Sequence, residues 1–294
     1  MEYVDNLPSD EESCYYAEHL EFHHDPALPP AFTDDELAQV VPHCPNIATA
    51  LLGGIPDLSS RTLILLAEHA PRLAALDISG CSAVSDLGLH ALATHATSLS
   101  ALAISRIPGV TNRALAALVR GLPRLQELEM DALPLVSARG VRDVWTFARR
   151  LRRWTLAGCL HVTDGGFPSV RAPDGADADS PDGAEPGATG GATPPLVLPA
   201  AHTLGALHLV DLSHCARLTD AAVRGLVKHA PRVHELSLAG CGGLTDGALR
   251  AVAAGLGPHL RVLDLGGLLR VTDSGVCALV GACARLQAVD ISCE

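Results

Sequence analysis

Cysteine and histidine are the side chains in this chain whose type and spacing could support chemistry. Four cysteines recur at one position of an internal repeat: Cys81, Cys159, Cys215 and Cys241. Cysteines on neighbouring repeats could form a disulfide or share a zinc ion. Because the sequence has no C-x-x-C pair, zinc is disfavoured, and we expect buried thiols that fill a turn as small apolar residues with a weak S–H donor.

Four histidines also occupy equivalent positions, near the ends of predicted helices: His43, His69, His95 and His229. Packed helices lie about 8–10 Å apart, too far for these side chains to share one ion in most geometries. We therefore expect solvated side chains near helix C-termini, where a partial negative charge favours a cation.

Catalytic motifs are absent from the sequence. It has no nucleophile elbow, phosphate-binding loop or H-E-x-x-H helix, and no G-x-G-x-x-G between a strand and a helix. Thr-Asp pairs recur, but they stand where helices should begin and are not acid–base dyads. We predict that the protein is not an enzyme and needs no cofactor and no metal.

A repeat of about 26 residues positions all of these side chains. The pattern Leu-x-x-Leu-x-Leu begins each unit, and the units start at Ile47, Leu73, Leu99, Leu125, Leu151, Leu207, Val233, Leu260 and Leu286. A period in the twenties with this signature indicates leucine-rich repeats, with one strand and one helix per unit. Because strands lie about 4.8 Å apart and helices 8–10 Å, the predicted fold is an α/β horseshoe with a concave parallel sheet and convex helices.

Ser or Thr marks the predicted start of each helix, where its hydroxyl can cap free backbone N–H groups. These residues are Ser59, Ser85, Thr111, Ser137, Thr163, Thr219, Thr245 and Thr272. Asp or Asn often follows, which suits the positive end of the helix dipole.

The domain organisation follows from the same repeat. We predict an acidic flexible leader at 1–16 and a repeat domain of about nine units at 17–294. An acidic Gly/Pro-rich insert at 168–203 should be disordered and lie on the convex side or rim. The last unit is incomplete, since no helix follows its strand. Either a partner covers that end or the sequence is a fragment.

Composition limits the cellular setting and the partners. The net charge is −12, and residues 1–60 hold acidic side chains but no Lys or Arg, so nucleic acid is an unlikely partner at that end. The chain has no apolar run of membrane-spanning length and begins with an acidic, polar stretch unlike a secretory signal. Nine cysteines without such a signal indicate reduced thiols in the cytoplasm, the nucleus or both.

The predicted concave face is mostly acidic. Strand positions between the buried leucines, with the residues that follow, give Asp77, Glu127, Glu129, Asp131, Arg153, Asp211, Glu235, Asp264 and Asp290. These side chains could bind a basic protein surface. The alternative is that Asp is simply common and solvated at this position.

A basic cluster near Trp145 and Trp154 is the other charged feature. It comprises Arg139, Arg142, Arg149, Arg150, Arg152 and Arg153. Most of these arginines are explained by positions at helix ends or on the solvated convex face. The alternative is that the cluster makes a second protein contact or a weak nucleic-acid contact.

Residues 76–81 (LDISGC) and 236–246 (LSLAGCGGLTD) resemble the cysteine-containing, RNI-like leucine-rich-repeat family. The chain is most similar to the repeat domain of F-box/leucine-rich-repeat substrate receptors of SCF ubiquitin ligases. That resemblance implies a protein-protein interaction module that recognises substrates for ubiquitin-dependent degradation. The SCF adaptor and cullin would bind through an F-box, for which the residues before the first unit are too few. An F-box-free regulator or scaffold, similar to the mitotic-exit antagonist family or a yeast DNA-repair subunit, is the alternative.

Overall fold

The computed structural model describes residues 11–21, 33–169, 195–199 and 201–292. Within these residues ten parallel strands form one sheet, and their spatial order follows their order in the sequence. The strands are β1 His19–Glu21, β2 Thr49–Leu51, β3 Ala75–Asp77, β4 Ala101–Ala103, β5 Glu127–Glu129, β6 Arg153–Thr155, β7 Leu209–Asp211, β8 Glu235–Ser237, β9 Val262–Asp264 and β10 Ala288–Asp290. In β2–β9 the middle residue is buried and its neighbours are at least partly exposed, because successive side chains point to opposite faces.

Helices cover the other face of the sheet and pack against one another in sequence order. They are α1 Glu11–Tyr16, α2 Asp34–Val40, α3 Ser60–His69, α4 Asp86–His95, α5 Asn112–Gly121, α6 Ala138–Phe147, α7 Asp220–His229, α8 Asp246–Leu256 and α9 Asp273–Ala282, with 3-10 turns at Val41–His43 and Asp164–Gly166. The predicted α/β solenoid, with strands on one face and helices on the other, is confirmed.

The strands stay in register through both irregularities of the repeat. Arg153 on β6 pairs with Leu209 on β7 although the insert separates them in sequence. Glu235 on β8 pairs with Val262 on β9, and the additional residue of that unit lies in α8, which has 11 residues where α7 has 10. Insertions are therefore accommodated on the helical side, while the sheet remains continuous.

The repeated cysteines are buried thiols that link one unit to the previous one. Cys81 Sγ donates to the carbonyl of Leu52 at 3.2 Å, and Cys241 Sγ donates to that of Leu212 at 3.1 Å. Cys159 and Cys215 make the same contact with Met130 and Leu156, which is the turn-filling role predicted from the sequence. Burial raises the pKa of the Cys81 thiol to about 11, so it stays protonated at neutral pH.

The Asp or Asn residue at several helix starts has a role beyond its own helix. Asp86 accepts hydrogen bonds from both the backbone N–H and the hydroxyl of Thr111, the N-cap of the next unit. The same contact recurs in the pairs Asp34–Ser59, Asp164–Thr219, Asp220–Thr245 and Asp246–Thr272. In the equivalent pair Asn112–Ser137, the amide oxygen accepts the Ser137 N–H and the amide nitrogen donates to the Ser137 hydroxyl. These side chains therefore join consecutive units, in addition to their expected interaction with the helix dipole.

The predicted flexible leader requires a correction in its last six residues. Glu11–Tyr16 forms α1, because Cys14 is buried in the core and the side-chain amide of Asn46 donates to the carbonyl of Tyr15 at 2.8 Å. Residues 1–10 lie outside the described residues.

The insert departs from the unit that begins at Leu151, and residues 170–194 and 200 lie outside the described residues. Its two ends meet in a parallel bridge between Pro168 and Leu196. The returning chain contacts the helical layer, where His202 Nε2 lies 2.8 Å from the carbonyl of Trp145 and the His202 carbonyl lies 2.7 Å from Nδ1 of His229.

β10 is exposed at the far end of the described solenoid. Val289 on the strand and Ile291 just beyond it keep 39% and 56% of their surface in solvent, so this edge of the core has no cover within the described residues. None of the described helices has the length and apolar character needed to cross a bilayer.

Candidate protein-binding surface

Two columns of side chains cross the strands on the face opposite the helices. The first column has Glu127, Arg153 and Glu235 at the first residue of their strands. The second column holds the third residue of each strand and includes Asp77, Glu129, Asp211, Asp264 and Asp290. Asp131 lies two residues beyond β5, at the edge of the sheet. The structure therefore places all of the predicted acidic side chains on or beside one face.

Most of the aspartates on this face have a local structural role. Asp77 Oδ1 accepts the N–H of Ser79 at 2.8 Å, two residues later in the turn. The same contact joins Asp211 to Ser213, Asp264 to Gly266 and Asp290 to Ser292. Asp131 accepts the N–H of Ala157 in the next unit at 2.8 Å. These carboxylates cap turns or, at Asp131, link two units, so their presence is explained by the fold without a ligand.

The glutamates on the same face have no comparable role. Among the described residues, no donor hydrogen-bonds the side chain of Glu129 or Glu235. Glu127 has only a long contact of 3.8 Å with Arg153, and both side chains are about half exposed, so this pair contributes little stability. Burial and then the nearby charge of Asp131 raise the pKa of Glu129, although Arg153 opposes this. The fold therefore favours the charged form of Glu129 less than water does.

A hollow lies between these charges where the side chains are small. Ala101 and Ala103 of β4 form its floor, Asp77 lies on one side, and Glu127 and Glu129 lie on the other. A Lys or Arg side chain could lay its apolar stem on the alanines and bring its charge to the carboxylates.

A second hollow contains residues that the sequence analysis did not single out. Arg106 and His214 have φ of 59°, in the left-handed region, and both line this hollow with Asp131 and Glu129. The equivalent position is glycine in other units: Gly54, Gly80, Gly158, Gly240 and Gly267. Alignment of the repeats could have found both residues, because each replaces a glycine that the turn favours.

The predicted basic cluster is not one patch. Arg139 and Arg142 lie in the first half of α6, whereas Arg149 and Arg150 follow its end, roughly 10–15 Å away along the helix axis. Arg152 and Arg153 lie at the beginning of β6, and Arg153 reaches the acidic face. Arg149 contacts Nδ1 of His202 at 3.1 Å and so helps to hold the returning end of the insert.

The histidines predicted to be equivalent differ in environment. His43, His69 and His95 are exposed, whereas His229 is buried and bonded to the His202 carbonyl. In the part of the chain that the structure describes, no group of His, Cys, Asp or Glu side chains is arranged to hold a metal ion.

Comparisons with known proteins bear on the fold. No protein-family model and no curated protein matches the sequence. Among solved structures, the chain is similar to yeast Rad7 in its complex with Elc1, with 17% sequence identity and a TM-score of 0.54, covering 88% of this chain and 66% of that chain. The fold is a leucine-rich-repeat solenoid.

Two bacterial structures are also similar to the solenoid. The leucine-rich repeat-containing protein LegL7 from Legionella pneumophila has 14% identity and a TM-score of 0.49, covering 96% of this chain and 87% of that chain. An internalin (inlF) from Listeria monocytogenes has 14% identity and a TM-score of 0.47, covering 87% of this chain and 64% of that chain.

Proposed function

We propose that this solenoid is a protein-interaction module whose concave sheet binds a basic segment of a partner protein. The observation that carries the proposal is the environment of Glu127, Glu129 and Glu235. These carboxylates have no structural hydrogen bonds within the described residues, and burial makes the charge of Glu129 less favourable than it is in water. Charges that the fold does not need are typical of a binding surface, where a partner supplies the missing countercharge.

The hollow over Ala101 and Ala103 gives this proposal a specific contact. A single Lys or Arg of the partner enters it, with the carboxylates of Asp77, Glu127 and Glu129 around the cation. Glu235, three strands further along the sheet, binds a second basic residue of the same segment. The concentration of negative charge also steers a basic partner towards this face, so association should slow as salt is added.

The test uses a triple variant that spares the turn-capping aspartates: Glu127→Lys, Glu129→Lys and Glu235→Lys. The matched control reverses three exposed acids elsewhere, with Asp57→Lys, Glu68→Lys and Asp273→Lys, and changes the net charge equally. We expect a labelled peptide with lysine at alternate positions to bind the control as it binds the native protein. Its affinity for the triple variant should fall at least tenfold. Equal losses in both variants, or none in the first, would contradict the assignment of this face.

The finer proposal is substrate recognition for an SCF-type ubiquitin ligase, in the cytoplasm or nucleus. It is supported by the similarity of the repeat subtype to F-box/leucine-rich-repeat receptors and by the Rad7 structure, in which the similar chain is complexed with a second protein, Elc1. Affinity purification of the native-length protein followed by mass spectrometry tests it. Recovery of the SCF adaptor and a cullin would support ligase membership. Reproducible recovery of other partners without them would favour an F-box-free regulator or scaffold.

A further inference from the structure

A row of cationic side chains runs along one edge of the sheet, at the two positions that flank the first buried leucine of each unit. We call this row the cationic rim. It consists of Arg124, Arg150, Arg152, His208, Arg232, His234, His259, Arg261 and Arg285. From the unit beginning at Leu125 to the last, every unit supplies at least one of these residues, and none has an acidic residue at either position. Because the strands are parallel and in register, these residues lie side by side.

The side chains of the rim are at least partly exposed, and among the described residues its arginines have no countercharge. All of these arginines are exposed, and among the described residues no carboxylate lies within ion-pair distance of any of them. His208 and His234 stack on each other with ring centroids 5.1 Å apart, and His259 lies edge-on to His234 at 6.3 Å. Burial and then the neighbouring His208 and Arg261 lower the pKa of His234, so this imidazole is uncharged at neutral pH and the arginines carry the positive charge of the rim.

An apolar groove adjoins the rim beside Arg150. Its walls are Leu122 and Pro123 after α5 and Phe147 at the end of α6. Phe147 is 42% exposed, and the guanidinium of Arg120 lies 4.5 Å from the centre of its ring. The groove therefore offers an apolar contact bordered by positive charge.

We propose that the cationic rim binds an acidic amphipathic helix of a partner protein, which lies along the edge of the sheet and places one apolar side chain in the groove beside Phe147. The spacing fits this ligand. Successive units place basic side chains about 4.8 Å apart. Glutamates at every third or fourth residue of a helix recur about every 5.3 Å along its axis. Over the five intervals from Arg124 to Arg285 the two spacings differ by only about 2–3 Å in total.

Nucleic acid fits the same edge poorly. The second column of the acidic face lies only three residues along each strand from the rim, about 10 Å away, and Glu127 and Glu235 are nearer still. A duplex seated on the rim would bring its phosphates over these carboxylates. A single strand binds through aromatic side chains on which its bases stack, and the rim positions contain no Phe, Tyr or Trp.

The test measures binding of a fluorescein-labelled helical peptide of about 18 residues, with glutamates on one face and one leucine near an end. The rim variant carries Arg152→Glu, Arg232→Glu and Arg261→Glu. The matched control carries Arg113→Glu, Arg224→Glu and Arg270→Glu, at exposed sites away from the rim. At low salt we expect the rim variant to lose at least tenfold in affinity and the control to stay within about twofold.

Three results would overturn the proposal. The first is an equal loss of affinity in the rim and control variants. The second is equal binding of a peptide with the same composition but scrambled glutamate spacing. The third is tighter binding of an RNA strand or a DNA duplex than of the acidic peptide. The rim variant should keep its affinity for the lysine peptide that probes the acidic face, so failure here is distinguishable from failure of the proposed function.

Discussion

Removing one inter-unit carboxylate tests whether these contacts stabilise the solenoid. We expect Asp86→Ala to lower the free energy of unfolding by about 2 kcal/mol. Asp86 accepts the N–H of Thr111 at 3.0 Å and its hydroxyl at 2.5 Å. Hydrogen bonds to a charged group contribute about 1.5–3 kcal/mol each, and the site is partly exposed, so water replaces part of what is lost.

Two further variants separate the hydrogen bonds from the helix dipole. Asp273 has the same place on α9, but no described residue of a following unit donates a hydrogen bond to its carboxylate. Asp273→Ala should therefore cost only about 0.3–1 kcal/mol. Asp86→Asn should also cost less than about 1 kcal/mol. The reason is that Asn112 already makes this contact with Ser137, both accepting its N–H and donating to its hydroxyl.

Urea unfolding followed by tryptophan fluorescence is a suitable assay, because Trp145 and Trp154 are both fully buried near the middle of the solenoid. The midpoints should fall in the order native, Asp86→Asn, Asp86→Ala. If Asp86→Ala costs no more than Asp273→Ala, the inter-unit hydrogen bonds do not stabilise the fold and the reasoning is refuted.

Three other predictions concern individual side chains. His214→Gly should raise the free energy of unfolding by about 0.5–1 kcal/mol in the same assay, because the backbone strain that glycine relieves exceeds the conformational entropy that glycine loses on folding. A loss of stability would refute this. With a thiol reagent at pH 8, peptide mapping should show exposed Cys277 labelled well before Cys81, whose pKa burial raises to about 11; equal rates would show that the core opens readily. The hydrogen bonds from the hydroxyl and the N–H of Thr272 lower the pKa of Asp246 below the usual value for an aspartate. Their stabilisation is therefore full above that usual pKa and is lost as pH falls through the folded pKa. Asp246→Asn should therefore make the melting temperature fall less steeply between neutral and strongly acidic pH, and an unchanged slope would contradict this assignment.

The acidic face shows how far the sequence could define a site. The alternation of buried and exposed residues along each strand predicted which side chains share one face of the sheet. The strand register confirms that these side chains lie side by side. Alternation could not separate Asp77 from Glu129, because the difference depends on side-chain length. The shorter Asp side chain reaches back to the N–H two residues later, whereas that of Glu129 remains on the surface.

The periodic pattern by itself determined the architecture, the helix starts and the placement of Cys81 and its equivalents, because each depends on contacts that recur with the repeat. Tertiary structure decided what depends on neighbouring units. It showed that Asp86 bridges to the next unit, that α1 is fixed by the burial of Cys14, and that the arginines grouped in sequence from Arg139 to Arg153 divide between two ends of α6. The cationic rim likewise emerges only when residues some 26 positions apart are brought to neighbouring strands. A local pattern specifies which face a residue occupies, but its neighbours across units depend on how the solenoid stacks.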